Sequence, residues 1–465
     1  MPNNALEIAN EGEKKYSRIK PIFTTVFTHP SGQKRYDLAY LLVGTWVKKI
    51  GAPIGEKEEV NIEFNGGKGW ILKKDLCDEK FINIFFLDVR QGDSILIETP
   101  KSKRILIDGG QDGSALSFLR WKYHLDDHTK NFDAIILTHN DQDHVQGLIK
   151  ILNDPSVVVK RIYHNGIIKR TDGLGKIEKT QDGDMLIDLY DDIEDLEPIY
   201  NKLKSLEKKW VDSVRKARRR AKKFDIDLEV IRADKNLGTI KIDEGKGLEI
   251  NFLNPINFGT TDSPKLKYFG DIGPTVNGNS VSVLIKYKKA KILLCGDLNK
   301  KAEDVLLDHS KKNALKAHVF KANHHGSDDF TPKFLKAVKP CVSVVSSGDQ
   351  KDYGHPKANL LGSLGHYSTK KMMEPLLFST ELSATFRKIP KKELKKKDIP
   401  HLFEKINLGI IHVRTNGDWM VAGRTYGREK VGDDASKFRF KWEAYAFDLK
   451  SAEPLKNDFT PFKKS

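Results

Sequence analysis

The sequence predicts an α/β layered fold, and three features of the chain carry that expectation. Short runs rich in β-branched and aromatic residues recur from Phe81 onward: INIFFLDV, SILIET, RILIDGG, AIILTH, then SVSVLIKY, KILLCGD, VFKANHHGS and VSVVSSG. Segments of helical periodicity, AEDVLLDHS and TPKFLKAV among them, lie between some of these runs, as expected of stacked sheets and helices. The chemistry-bearing polar residues fall where the apolar runs stop. Loops at strand ends are where a rigid sheet can hold functional side chains at fixed distances.

The parts follow in chain order. A length of 465 residues with 38% hydrophobic and 31% charged residues suits two or three globular domains. Residues 1–80 read as a small β-rich module: PIFTTVF, VNIEF and GWILKKDL are strand-like, with turn signals SGQ and NGG between them. The GWILKKDL ending is faintly similar to the last strand of a bacterial SH3-like domain. The layered domain is expected over 81–367, interrupted at about 165–247 by a charged helical insertion. There the acidic stretch DLYDDIEDLE precedes NKLKSLEKKWVDSVRKARRRAKK, which holds 11 basic and 2 acidic residues. Its apolar positions, Leu203, Leu206, Trp210, Val214, Ala217 and Ala221, recur in steps of three and four, so it is read as an amphipathic helix packed on the layered domain or on a partner helix. Two readings of its basic face stand: a solvated surface or a contact for nucleic acid. Residues 368–465 form a basic C-terminal extension with β-strands.

Formal net charge is +16, from 80 Lys+Arg against 64 Asp+Glu, which favours phosphate-rich partners such as nucleic acid. Cys77, Cys295 and Cys341 are scattered singly, so neither a disulfide framework nor a cysteine zinc knuckle is expected. No apolar stretch approaches the roughly 20 residues of a membrane helix. The opening MPNNALEIANEGEKKYSR lacks the basic-then-apolar pattern of a signal peptide, so the expectation is a cytoplasmic protein with no membrane partner.

Residues 138–144 read THNDQDH, directly after the apolar run AIIL. Histidine supplies a neutral nitrogen and aspartate a charged oxygen, and a divalent ion needs several such groups converging. In an extended segment His139, Asp141 and Asp143 share a face, and the turn that follows brings His144 round. A polar surface loop is the competing reading of these residues alone. Downstream, Asp297 in LLCGD, His324 and His325 in ANHHGS, and His355 in YGHP also stand at strand ends, as Asp108 in ILIDGG does upstream. Each could be a turn former or a cap. Their recurrence at successive strand ends favours a metal centre.

Together LDVRQGDSILIE, ILIDGG, AIILTHNDQDHVQGL, NSVSVLI, ILLCGD, KANHHGS and YGHP resemble a metallo-β-lactamase-fold hydrolase, in particular the metal domain of ComEC-type DNA-uptake proteins. The resemblance covers roughly 81–165 and 248–365. It implies an αββα sandwich with the metal centre at one edge of the two sheets, and two divalent ions, Zn²⁺ or Mn²⁺. By motif, His139 and Asp141 would hold the first ion, Asp143 and His144 the second, Asp297 would bridge them, and His325 would complete the second site. Asp108 is similar to the family's early aspartate, which orients the motif loop. Asp143, His324 and His355 would take the catalytic roles, with Ser327 and Asn279 against substrate. Hydroxide held between the ions would be the nucleophile.

Two departures bear on this. Asp141 replaces the second histidine of the common His-x-His-x-Asp-His loop, which makes the first site harder and more accepting of Mn²⁺. The usual third histidine has no counterpart, Asn279 standing roughly there, so the first site is expected to be weak. The function expected is a metal-dependent phosphodiesterase acting on nucleic acid, DNA first, in DNA processing or defence. A small-molecule or phosphorylcholine-type phosphodiesterase of the same fold is the alternative, and a non-catalytic adaptor using the 165–247 insertion to bind a protein partner is the third reading.

Overall fold

The computed structural model describes residues 16–455 apart from 28, 32–36, 63–67, 235–237, 241, 243–246, 349–352, 372–374, 381–385, 389–402, 406–408 and 431–437. Two sheets stack face to face. The first has nine strands in the order Glu229–Arg232, Arg161–His164, Ala134–Ile136, Arg104–Ile107, Ile95–Glu98, Ile82–Phe86, Ile411–Thr415, Trp419–Lys430, Phe438–Asp448. Pairing is parallel on the Arg104–Ile107 to Glu229–Arg232 side and antiparallel elsewhere. The second has six strands, Leu248–Asn254, Ser282–Tyr287, Ala290–Leu294, Val319–Lys321, Val342–Val345 and Leu376–Ser379.

The apolar runs show no alternation in sequence because their strands are covered on both faces. Successive side chains nevertheless point opposite ways. Ile84, Phe86, Ile97, Ile105, Ile107 and Ile136 meet Ile250, Phe252, Val283, Ile285, Ile292 and Val342 in the core between the sheets. Phe85, Leu96, Leu106 and Ile135 face outward onto the helices Ser114–Tyr123 and Gln142–Asn153. On the far side, Leu284, Leu293, Cys295 and Phe320 pack under Lys300–Asp308, Pro332–Val338 and Ala358–Tyr367. This is the αββα sandwich expected. All three cysteines are free, and Cys295 and Cys341 are buried in apolar surroundings.

The insertion is only partly helical. It begins with the hairpin Ile177–Thr180 and Gly183–Leu186, runs through a 3₁₀ segment Ile193–Lys202 and the helix Ser205–Lys222, and rejoins the first sheet at Glu229–Arg232. The helix buries Trp210, Val211, Val214, Ala217 and Ala221 against Gln142–Asn153 and the strand Val157–Val159. Part of its basic side is occupied by the acidic stretch just upstream. Arg218 bonds Asp192 at 2.6 Å and Glu194 at 3.0 Å, Arg215 pairs with Glu197, and Arg220 donates to Leu152 O and Val157 O, both at 2.7 Å. Lys209, Lys216, Arg219, Lys222 and Lys223 are exposed.

The described residues between 16 and 77 form a seven-stranded antiparallel sheet around Ile19, Val26, Leu41, Val47, Val60 and Ile71. The C-terminal extension adds Ile411–Thr415 beside Ile82–Phe86 and two long strands beyond it, so it widens the first sheet. Most of the basic segment at 388–397 lies outside the described residues. Among the described residues no helix is long and apolar enough to cross a membrane.

Candidate metal centre

The motif loop is placed by packing on its neighbours. Strand Ala134–Ile136 runs into buried Thr138 and His139, and helix Gln142–Asn153 starts at once, with Asp143 and buried His144 in its first turn. The Asp108–Gly110 turn docks on that turn through Gly109 N to His144 O at 2.9 Å and Gly147 N to Gly110 O at 2.8 Å. Contact is so close that a Cβ on Gly147 would stand 1.8 Å from Gly109 O. Asp108 is fully buried, with φ of 57°, and its carboxylate accepts from Thr138 N at 2.8 Å, Thr138 Oγ1 at 2.6 Å and His144 Nδ1 at 2.8 Å.

Opposite this loop, Asp297 follows strand Ala290–Leu294 and His325 follows strand Val319–Lys321. His144 Nε2 and His325 Nε2 stand 3.2 Å apart. Asp297 Oδ2 is 3.3 Å from the first and 3.0 Å from the second, and Asp143 Oδ2 is 3.3 Å from His325 Nε2. The Nδ1 of each ring is committed as a donor, to Asp108 in one case and to the Ser346 carbonyl at 3.1 Å in the other. In the neutral rings both Nε2 atoms are therefore bare acceptors, aimed at each other and at two carboxylates. Such a cluster is repulsive unless a cation lies at its centre, and nitrogen with carboxylate oxygen is a donor set that suits a divalent ion.

The electrostatics agree. Burial disfavours charge on His144 and His325, yet the carboxylates of Asp297 and Asp143, with Asp108 beside the first ring and Asp93 beside the second, hold both well above the usual histidine range. Burial would likewise raise Asp297 and Asp143, but the facing histidines keep both carboxylates low. A metal would take the place of those ring protons. Asp297 Oδ1 and His139 Nε2 are buried without a hydrogen-bond partner among the described residues, which also fits a centre built for an ion.

The first position is built differently. His139 Nε2 is 3.7 Å from Asp141 and 4.0 Å from Asp297, and burial, then the charge of His144, lowers this ring to about 4. Its Nδ1 lies near Thr138 Oγ1 at 3.0 Å and Ser280 Oγ at 3.3 Å. Asp141 forms an ion pair with Lys169. Asn279, expected against substrate, is buried and spends its amide on Lys267 O at 2.9 Å and Thr275 O at 2.8 Å.

His324 and His355 stand together at the rim, ring centroids 5.8 Å apart, with His324 Nε2 3.9 Å from Asp297. Burial and the neighbouring His324 charge push His355 down to about 4. Ser327 Oγ accepts from Asp329 N at 3.2 Å and shapes the loop after His325.

Other residues of the centre escaped sequence reasoning. Asp93, in the QGDS turn, forms a buried ion pair with Lys321, whose ammonium also bonds Gly296 O at 3.1 Å behind Asp297. A lysine closing the apolar strand VFK was the available signal. Gln91 Nε2 donates to Asp143 at 3.3 Å, and Glu303 braces Asn323, beside the histidine pair, at 2.8 Å.

Residues 87–232 match the family model described as Metallo-beta-lactamase superfamily, so this segment is similar to the domain of that superfamily. The chain is also similar to ComE operon protein 3 of Bacillus subtilis strain 168, 23% identical over 303 residues. That match covers 61% of this chain and 30% of the relative, so it spans less than a third of the relative's length. Among solved structures it is similar to a metal-dependent hydrolase of the beta-lactamase superfamily, with 13% identity, 64% of this chain and 96% of that chain covered, and a TM-score of 0.33. It is also similar to the short form of human tRNase Z, with 11% identity, 56% of this chain and 90% of that chain covered, and a TM-score of 0.28.

Proposed function

We propose that this chain is a metal-dependent phosphodiesterase that hydrolyses nucleic acid, with DNA as its substrate. The observation that carries the hydrolase part is the convergence of His144 Nε2 and His325 Nε2, 3.2 Å apart, with the carboxylates of Asp143 and Asp297. In this reading those residues hold a divalent ion, Zn²⁺ or Mn²⁺. Such an ion, when bound, supplies a Lewis acid for a phosphoryl oxygen and makes water acidic enough to attack near neutral pH. The chain's own groups do the positioning. Asp108 fixes the His144 ring with its Nε2 turned to the ion, and Lys321 with Asp93 holds Asp297 from behind. His324, 30% exposed, and His355 face solvent at the rim, where a phosphate would lie. With its pKa near 4, His355 is neutral at pH 7 and serves there as a hydrogen-bond donor to phosphate rather than as a proton source.

Nucleic acid as substrate is supported by the +16 charge, by the exposed Lys209, Lys216, Arg219, Lys222 and Lys223 on the insertion helix, and by the resemblance to ComEC-type domains. The test compares wild type with an Asp143→Ala, His144→Ala double variant, after bound metal is measured. Both are incubated with end-labelled and circular DNA in Mn²⁺, Zn²⁺ and Mg²⁺. Cleavage by wild type alone is the expected result, and loss of the circular substrate would show internal cutting. Metal-loaded wild type that turns over bis-nitrophenyl phosphate yet leaves single- and double-stranded DNA intact would reject DNA as substrate.

A further inference from the structure

The geometry points to Lys169 as the occupant of the first metal position, so that the centre works with a single divalent ion, held by Asp143, His144, Asp297 and His325. This inference rests on the hydrolase reading above and concerns how that site is filled.

Three observations carry it. Asp141, the residue that departs from the common loop pattern, is turned to an ammonium: Lys169 Nζ pairs with its Oδ1 and lies 3.4 Å from the Asn140 carbonyl in the same loop. Among the described residues, the groups whose ligand atoms converge within 4.8 Å draw on Asp93, Asp108, His139, Asp143, His144, Asp297 and His325, and none includes Asp141. The position of a third histidine offers no ligand either, because the Asn279 amide is spent on main-chain carbonyls and Ser280 Oγ sits on the Nδ1 side of His139.

What remains for a first ion is His139 Nε2, the one Asp141 oxygen that Lys169 leaves 3.7 Å from it, and a share of Asp297, which is poor coordination for a dication. An ammonium already beside Asp141 neutralises it and repels a second cation at close range. Lys169 is not a stray surface side chain. It is 18% exposed, and its segment is fixed by buried Ile167 and Ile168, by Asn165 Nδ2 donating to Asn279 O at 3.2 Å, and by Arg170 N donating to Gly173 O at 2.7 Å. Buried Glu207, from the first turn of the insertion helix, lies close enough to interact with both Lys169 and Asp141. The insertion thus delivers the charge that the motif loop lacks. In the reaction the ammonium takes over the neutralisation of a phosphoryl oxygen that a first ion otherwise provides.

The test is a metal count on the full chain. Wild type, Lys169→Ala and Lys169→Gln are titrated with Mn²⁺ by calorimetry and by equilibrium dialysis with elemental analysis, and electron paramagnetic resonance records whether bound Mn²⁺ is isolated or exchange-coupled. Wild type is expected to bind about one ion per chain with an isolated signal, and the variants to gain a second, coupled ion. Wild type that binds a coupled pair overturns the proposal, and this measurement needs no variant. Folded variants, judged by thermal unfolding, that still take one ion also overturn it. DNA cleavage is read separately: a one-ion wild type that gains a second ion on losing Lys169 but cuts no DNA would reject the nuclease reading and keep this one.

Discussion

Asp108→Asn isolates the part of the site that acts without touching the ion. Asp108 Oδ1 accepts from Thr138 N, while Oδ2 accepts from Thr138 Oγ1 and His144 Nδ1. Asparagine tolerates the left-handed backbone at this position, φ of 57°, so the exchange brings little strain. Its carbonyl can keep the Thr138 N bond, and its amide then faces His144 Nδ1. An amide N–H donates, so the ring must accept at Nδ1 and carry its proton on Nε2, where the ion is expected. Loss of such an outer partner costs metal affinity roughly 10- to 100-fold, or about 1.4 to 2.7 kcal/mol. Competition against a chromogenic chelator measures this for Zn²⁺, with Thr138→Ser, which retains the hydroxyl, as the control. If Asp108→Asn binds within about twofold of wild type while its thermal unfolding is unchanged, Asp108 does not set the tautomer and the reasoning fails.

Other perturbations follow from the same geometry. A Cβ on Gly92 would lie 1.8 Å from Asp143 O, at φ of +102°, so Gly92→Ala must displace Asp143; metal affinity should drop at least about tenfold, and retention of wild-type affinity in a chelator titration would refute the contact. Glu303 is raised to about 8 by burial, against the opposing bonds from Thr331 N at 2.6 Å and Asn323 Nδ2 at 2.8 Å. Its folded pKa exceeds the unfolded value of 4.5, so its contribution is complete below that pH and is lost as pH rises towards about 8. Urea unfolding of the metal-free chain between pH 5 and 9 should therefore show up to about 4 kcal/mol of decline that Glu303→Gln flattens, and an equal slope in both proteins would refute it. Trp210, 1% exposed, anchors the insertion helix; Trp210→Ala should cost about 3 to 5 kcal/mol in urea unfolding, and a loss below about 1 kcal/mol would show that the helix is not held by that contact.

The sequence by itself determined the features that are local. Apolar runs such as INIFFLDV and AIILTH specify buried strands, and steps of three and four specify the helix that structure places at Ser205–Lys222. His139, Asp143, His144, Asp297 and His325 were legible because each stands at the end of such a run, and the sandwich brings those ends together. Tertiary structure decided the pairings. Asp93 meets Lys321 across 228 positions in chain number (321 − 93), and Lys169 reaches Asp141 from the insertion; in sequence either lysine reads as one more surface charge. Strands buried on both faces carry no alternation to say which neighbour they take, so the joining of Ile411–Thr415 to Ile82–Phe86 could not be read from pattern. The helix's arginines likewise read as an open basic face until Asp192, Glu194 and Glu197 were seen beside them. A ligand type is written in one residue, whereas the charge that balances it is set by whatever the fold places within a few ångströms, and that depends on the whole chain.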